Sequence, residues 1–168
     1  MSKIIIIGAG AMGSAFTIPC IENGNDVTLI GTQLENDLID EISKSPHPVL
    51  KVTLPKKLKI EKFEGIKDHS DSDLIVCAVS SPGVDWFIDQ ISQMGNKKLN
   101  IVLLTKGLSI EKGKLITISY KIKNELKKNG FDDVVVSAIK GPCLAAGLAN
   151  KMRTCLLYTS DAADDRLS

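Results

Sequence analysis

The chain is poor in aromatic residues, with one Trp, two Tyr and four Phe, so aliphatic side chains must fill its core. It carries almost no net charge, +1 at pH 7, which removes the electrostatic case for nucleic acid or an anionic membrane as partner. The cysteines Cys20, Cys77, Cys143 and Cys155 are scattered, with no Cys-x-x-Cys pair. The histidines, His47 and His69, flank no metal-spaced cluster, so no metal site is expected. No apolar run approaches the ~20 residues of a membrane span. No basic, apolar leader precedes the first strand, so no signal peptide is read and a cytoplasmic location is the default.

What remains is 168 residues, 43% hydrophobic and 24% charged, enough for one domain with a real core. Ile4–Ile7, Val27–Ile30, Leu74–Val79, Ile101–Leu104 and Val134–Ala138 read as short buried strands. Helices are predicted from about Ala11 to Asn23, where Pro19 should kink the helix or shift its end, and from Leu34 to about Ser43. Ser81 and Pro82 read as N-cap and first residue of a helix whose face is Val84, Phe87, Ile88 and Ile91. Leu115, Ile118, Ile122 and Leu126 mark a long amphipathic helix, and Cys143 to about Asn150 another. The stretch "SPHPVLKVTLPKKLKI" is proline-broken and reads as loop with short extended pieces. Strands alternating with helices predict an α/β, doubly wound parallel sheet (a Rossmann fold) in a single domain. The expected strand order is 3-2-1-4-5-6 with an extra edge strand.

In such a sheet ligands bind beyond the carboxyl ends of the strands. The residues found there are small, kinked or charged: Gly8-Ala9-Gly10-Ala11-Met12-Gly13, Gly31-Thr32-Gln33, Ser80-Ser81-Pro82-Gly83, Thr105-Lys106-Gly107 and Lys140-Gly141-Pro142-Cys143. In the first, Gly8 makes the tight turn, Gly10 lets backbone approach a pyrophosphate, and Gly13 lets helix and strand pack closely. The helix start then offers free N–H groups to phosphates. Ser80 is a further cofactor-lining candidate on this edge. The second strand ends without an acid or arginine, and Glu35 comes two residues late, so NAD and NADP both stay open. Thr32 could meet either a ribose hydroxyl or a phosphate.

Lys106 is the best catalytic candidate, an ammonium at a strand end that could stabilise charge on a phosphate or carbonyl oxygen. The alternative is a plain surface lysine. Gly141-Pro142 could present N–H groups to an anion, or be an ordinary turn, and Trp86 reads as packing.

The stretches "GAGAMGSAF", "ENGNDVTLIGT", "SDLIVCAVSSPGVDW", "IVLLTKGLS" and "KGPCLAAGLANK", in that order, resemble the cofactor domain of NAD(P)-dependent glycerol-3-phosphate dehydrogenase over Lys3 to Thr154. The resemblance implies hydride transfer between NAD(P)H and dihydroxyacetone phosphate, giving sn-glycerol 3-phosphate. By position it implies that Ala11, Met12, Thr32 and Ala145 line the cofactor, that Lys106 touches cofactor and substrate, and that Gly141 and Cys143 face the substrate. Two positions depart from the family pattern: Cys143 replaces a usual serine, and Lys140 a small residue. The family also uses a helical C-terminal domain that supplies a second lysine, and a complete protein of this kind leaves room for a homodimer. The implied partner is a small phosphate ester. Other readings are a 2-keto acid reductase of the ketopantoate reductase type, or a non-catalytic nucleotide-binding module.

The last residues, "CLLYTSDAADDRLS", do not resemble the family's continuation. They resemble the translation of a transposase-based sequencing adapter. Residues 1–154 are therefore expected to be the dinucleotide-binding domain and 155–168 a non-native tail, with the helical domain missing and the chain inactive by itself. Apolar surface left bare would then favour self-association.

Overall fold

The structure is a computed structural model that describes residues 1–95, 98–152 and 157–159. Its sheet has seven strands. They are β1 (Lys3–Ile7), β2 (Asp26–Ile30), β3 (Lys59–Glu61), β4 (Leu74–Cys77), β5 (Lys98–Leu103), β8 (Asp133–Lys140) and β9 (Leu157–Thr159). A separate hairpin supplies β6 (Leu108–Glu111) and β7 (Lys114–Thr117). The helices are α1 (Ala11–Glu22), α2 (Asn36–Ile42), α3 (Val84–Ser92), α4 (Ile118–Lys128) and α5 (Ala145–Ala149). The order across the sheet is β3-β2-β1-β4-β5-β8-β9. All neighbours pair in parallel except β8 and β9, which are antiparallel. This is the doubly wound order expected from the sequence, with β8 as sixth parallel strand and β9 as extra edge. Of the segment read as a non-native tail, Leu157–Thr159 forms β9; residues 155–156 and 160–168 lie outside the described residues.

The isoleucine run of β1 explains why it is central. Successive side chains of a strand point to opposite faces. Ile5 and Ile7 enter the layer beneath α3 and α4, together with Ile75, Cys77, Phe87, Ile122 and Leu126. Ile4 and Ile6 enter the other layer, with Val27, Leu29, Ile39 and Ile42, against which Met12, Phe16 and Ile21 of α1 pack. A strand buried on both faces needs no polar alternation, and each such isoleucine contributes ~1.5–3 kcal/mol on leaving water.

Pro19 does not cut α1 short: the helix runs on to Glu22, within a residue of the end read from the sequence, although proline has no N–H to offer the turn before it. Three other local expectations need correction. Leu115 is not in a helix: the chain makes a hairpin first, turning at Lys112 (φ 49°) and Gly113 (φ 76°). Two consecutive positive φ angles suit the right-handed twist of a two-residue turn. Helix α4 then starts after Thr117, whose side chain accepts from the Tyr120 N–H at 3.2 Å. Ser81 does not cap α3, because residues Ser81–Gly83 form a short 3-10 turn before it. The helix read from Cys143 is only the five residues of α5.

Phe87 is fully buried in the layer under α3. Phe87→Ala should cost ~3–5 kcal/mol, read as a lowered urea midpoint with an unchanged slope.

Candidate functional site

The chain leaves β1 for β2 and β3 on one side, then returns to β4 on the other, so a crevice opens between the carboxyl ends of β1 and β4. A cleft of about 650 Å³ lies there. It is lined from the turn after β1 (Gly10, Ala11, Met12), after β2 (residues 32–35), after β4 (residues 78–83) and after β5 (residues 104–106), with Trp86 from α3.

The three glycines of the first turn do different work. At Gly8, φ is +113° and a Cβ would stand 2.7 Å from the Ala78 carbonyl. At Gly13 a Cβ would stand 2.0 Å from the Gly8 carbonyl oxygen, so α1 can sit this close to β1 only with glycine there. Gly10 has ordinary extended angles (φ −60°, ψ 175°), and a Cβ there would meet only Glu35 Oε1, at 3.8 Å. Nothing in the packing of the fold needs glycine at that point, which lies on the wall of the cleft. The first N–H groups of α1 have no acceptor within the helix and face a bare approach.

Across the cleft, Thr105 Oγ1 donates to the Val79 carbonyl at 2.7 Å, tying β5 to the end of β4. Ser81 Oγ, instead of capping a helix, donates to the Lys106 carbonyl at 2.8 Å. The Lys106 backbone is thus anchored while its side chain stays exposed and its Nζ donates to the Gly141 carbonyl at 3.5 Å. Lys106 therefore bridges the cleft to the turn after β8. Beneath it Cys77 is buried against Thr105, and burial pushes its thiol up to about 11. It is a protonated core group rather than a nucleophile.

Of the candidates read from the sequence, Gly10, Ala11, Met12, Thr32, Ser80 and Lys106 meet around the cleft. Gly8 and Gly13 lie beneath it as spacers. Cys143 is buried and shares a second, small cavity with Met12, Lys106 and Lys140. Ala145 lines neither cavity and packs beside Ala15, Ile18 and Leu50. Trp86, read as packing, does pack edge-on against Phe63 (centroids 6.4 Å apart) but also lines the cleft. Among the described residues no group of three potential metal ligands occurs, and no helix is long and apolar enough to cross a membrane.

Glu35, set aside as too late in sequence, reaches back to the glycine turn: its Oε2 accepts from the N–H of Thr32 at 2.8 Å and of Ala9 at 3.1 Å. A signal was present in Thr32-Gln33-Leu34-Glu35, since Thr-x-x-Glu is the pattern in which a glutamate returns to the N–H three residues earlier.

Comparison with known proteins is decisive on ancestry. The family model described as NAD-dependent glycerol-3-phosphate dehydrogenase N-terminus matches residues 3–165. The chain belongs to that family. The NADP(+)-dependent glycerol-3-phosphate dehydrogenase of Archaeoglobus fulgidus is 30% identical over 94% of this chain and 46% of its own length. A crystal structure of glycerol-3-phosphate dehydrogenase from Coxiella burnetii shares the fold, with TM-score 0.76, 24% identity and coverage of 99% of this chain and 49% of that one. The 2-dehydropantoate 2-reductase structure from Enterococcus faecalis is more distant in shape, with TM-score 0.57, 27% identity and coverage of 83% and 41%. The chain spans about half the length of the curated relatives it matches.

Gly10 and Gly13 should respond oppositely to substitution. Gly13→Ala should lose about 1–3 kcal/mol of stability, because the clash is with backbone. Gly10→Val should melt close to the unaltered protein yet fail to bind dinucleotide, as measured by denaturation and calorimetry on the same samples.

Proposed function

We propose that this chain binds NAD(H) or NADP(H) in the cleft and is the cofactor half of a dehydrogenase that interconverts dihydroxyacetone phosphate and sn-glycerol 3-phosphate. The observation that carries the proposal is Gly10: a glycine required by nothing in the protein's packing, at the start of a twelve-residue helix with a lysine across the cleft. The bound nicotinamide would supply or take the hydride. The chain's own residues do the rest. The N–H groups at the start of α1, at Ala11 and Met12, would hold the pyrophosphate, with Thr32 after β2 and Ser80 after β4 lining the cleft on either side of them.

Lys106 supports the chemistry electrostatically. Its ammonium, on a backbone that Ser81 anchors and directed to the turn of Gly141, would face a carbonyl oxygen of the substrate and stabilise the negative charge that grows there as hydride adds to carbon. The oxygen needs one proton to complete the alcohol. Among the described residues Lys106 is the one cationic side chain lining the cleft, so binding without turnover is the expectation for these 168 residues. Gly141 and Cys143 lie on the Lys106 side and would face the substrate.

A 2-keto acid reductase remains the second reading, favoured by the likeness to the 2-dehydropantoate reductase structure. A cytoplasmic setting, a homodimer of a longer protein and the division at residue 154 belong to the same proposal. Re-reading the gene across the codons for residues 154–168 tests the last of these: a genomic stretch that departs from the present tail supports it, and an identical one overturns it.

Trp86 is the single tryptophan and lies in the cleft, so NADH or NADPH should quench its fluorescence saturably. Lys106→Ala should leave that binding within a few-fold. Adding dihydroxyacetone phosphate should produce no steady oxidation of the nucleotide. Absence of quenching by both nucleotides, corroborated by calorimetry, overturns the binding claim; sustained oxidation overturns the claim that the chain is only half an enzyme.

A further inference from the structure

The segment between β2 and β3 contains a buried histidine that the proposed chemistry does not use. His47 is 1% exposed and stands between Pro46 and Pro48. Its Nδ1 accepts from the N–H of Val49 at 3.2 Å and of Leu50 at 3.3 Å. Two donors on Nδ1 leave the proton on Nε2, because a neutral imidazole has one donor nitrogen and one acceptor. That Nε2–H donates to the carbonyl of Ala9 at 3.3 Å.

Ala9 is the middle residue of the glycine turn and is fully buried. Its N–H donates to the Glu35 carboxylate, and its carbonyl accepts from His47 and, at 2.8 Å, from Ser14 Oγ. Both polar groups of this residue are therefore held by side chains, two of which come from outside the β1–α1 unit. With glycine on both sides, the Ala9 peptide depends on these contacts for its orientation, because Gly8 and Gly10 bring no side chains of their own to hold it. The histidine is itself held by the loop that carries it. Its own N–H donates to the Val52 carbonyl at 2.9 Å, its carbonyl accepts from Lys51 at 2.8 Å, and the adjoining Leu50 is buried beside Ala15 and Ile18 of α1.

We propose that Glu35 and His47 form a two-sided clamp on Ala9 that sets the glycine turn in its dinucleotide-accepting geometry. They are positioning residues for the cofactor rather than structural pins of the domain. The inference rests on the dinucleotide reading above. Without the clamp, ordering the turn falls to the ligand, so affinity falls while the isoleucine core is untouched.

The test uses the whole chain and titrates NADH and NADPH by calorimetry, with thermal midpoints and circular dichroism on the same samples. His47→Phe keeps ring volume and loses both hydrogen-bonding nitrogens; His47→Gln keeps a donor near the position of Nε2. Glu35→Ala and Glu35→Gln form the matching pair. The expected result is dissociation constants about tenfold or more weaker for His47→Phe and Glu35→Ala, with recovery to within about threefold in the two glutamine variants. The double variant Glu35→Ala/His47→Phe should cost less than the sum of its parts, because either loss frees the same peptide. If His47→Phe does not fold, the Glu35 pair makes the same comparison. Folded variants with unchanged affinity overturn the clamp, as do losses that the glutamine variants fail to restore. A wild-type chain that binds neither nucleotide overturns the dinucleotide reading and the clamp with it, so the two failures are distinguishable.

Discussion

The structure depends on how closely the first helix approaches the first strand. The carbonyl oxygen of Gly8 and the α carbon of Gly13 leave no room for a side chain between them. Gly8 is in turn pressed against the backbone of Ala78 after β4. Three segments thus converge with only backbone between them, at the place where the sheet changes direction. Their closeness fixes where α1 begins, and so where its unpaired N–H groups point. It also brings the ends of β1 and β4 together, which makes a cleft out of what would otherwise be a row of loops.

The residues around that point divide into those that shape the turn and those that leave it open. Gly8 and Gly13 remove atoms that would collide inside the protein, whereas Gly10 removes an atom that would collide with nothing in it. Glu35 and His47 restore rigidity where the glycines removed it, from a stretch of chain that Ile39, Ile42 and Leu54 pin into the core. Packing and recognition are consequently carried by different residues within a few ångströms of each other. The Ser81 and Thr105 hydroxyls act similarly on the opposite wall, Ser81 holding the Lys106 carbonyl and Thr105 the end of β4, while the exposed Lys106 side chain reaches to the Gly141 carbonyl.

Much of this was legible in the sequence, for definite reasons. A run such as Ile4–Ile7, apolar at every position, can satisfy both faces only at the centre of a covered sheet, and small residues after each strand marked the open edge. The less legible features depend on partners distant in the chain. Glu35 looked misplaced when counted from the strand, but a glutamate is long enough to fold back over Thr32. His47 had no neighbouring ligand in sequence because its partner is the peptide of Ala9, on a different element. The hairpin at Lys112-Gly113 was hidden because Leu115 falls in step with the helical residues that follow, although it lies in the preceding strand. Ser81 carries the usual signature of a helix cap and spends its hydroxyl on the neighbouring loop.

Among the described residues the cleft is lined by one carboxylate, Glu35 in the turn after β2, and one ammonium, Lys106 after β5. Its charge is therefore not merely small but arranged lengthwise, with β1 and β4 between the two poles. An elongated guest with unlike ends meets a field that distinguishes one way of lying in the groove from the other. A group that carries or gathers negative charge would be drawn toward the Lys106 end and disfavoured beside Glu35. The groove thus has a direction before anything enters it, and that direction comes from just two side chains on opposite sides of the sheet's midline.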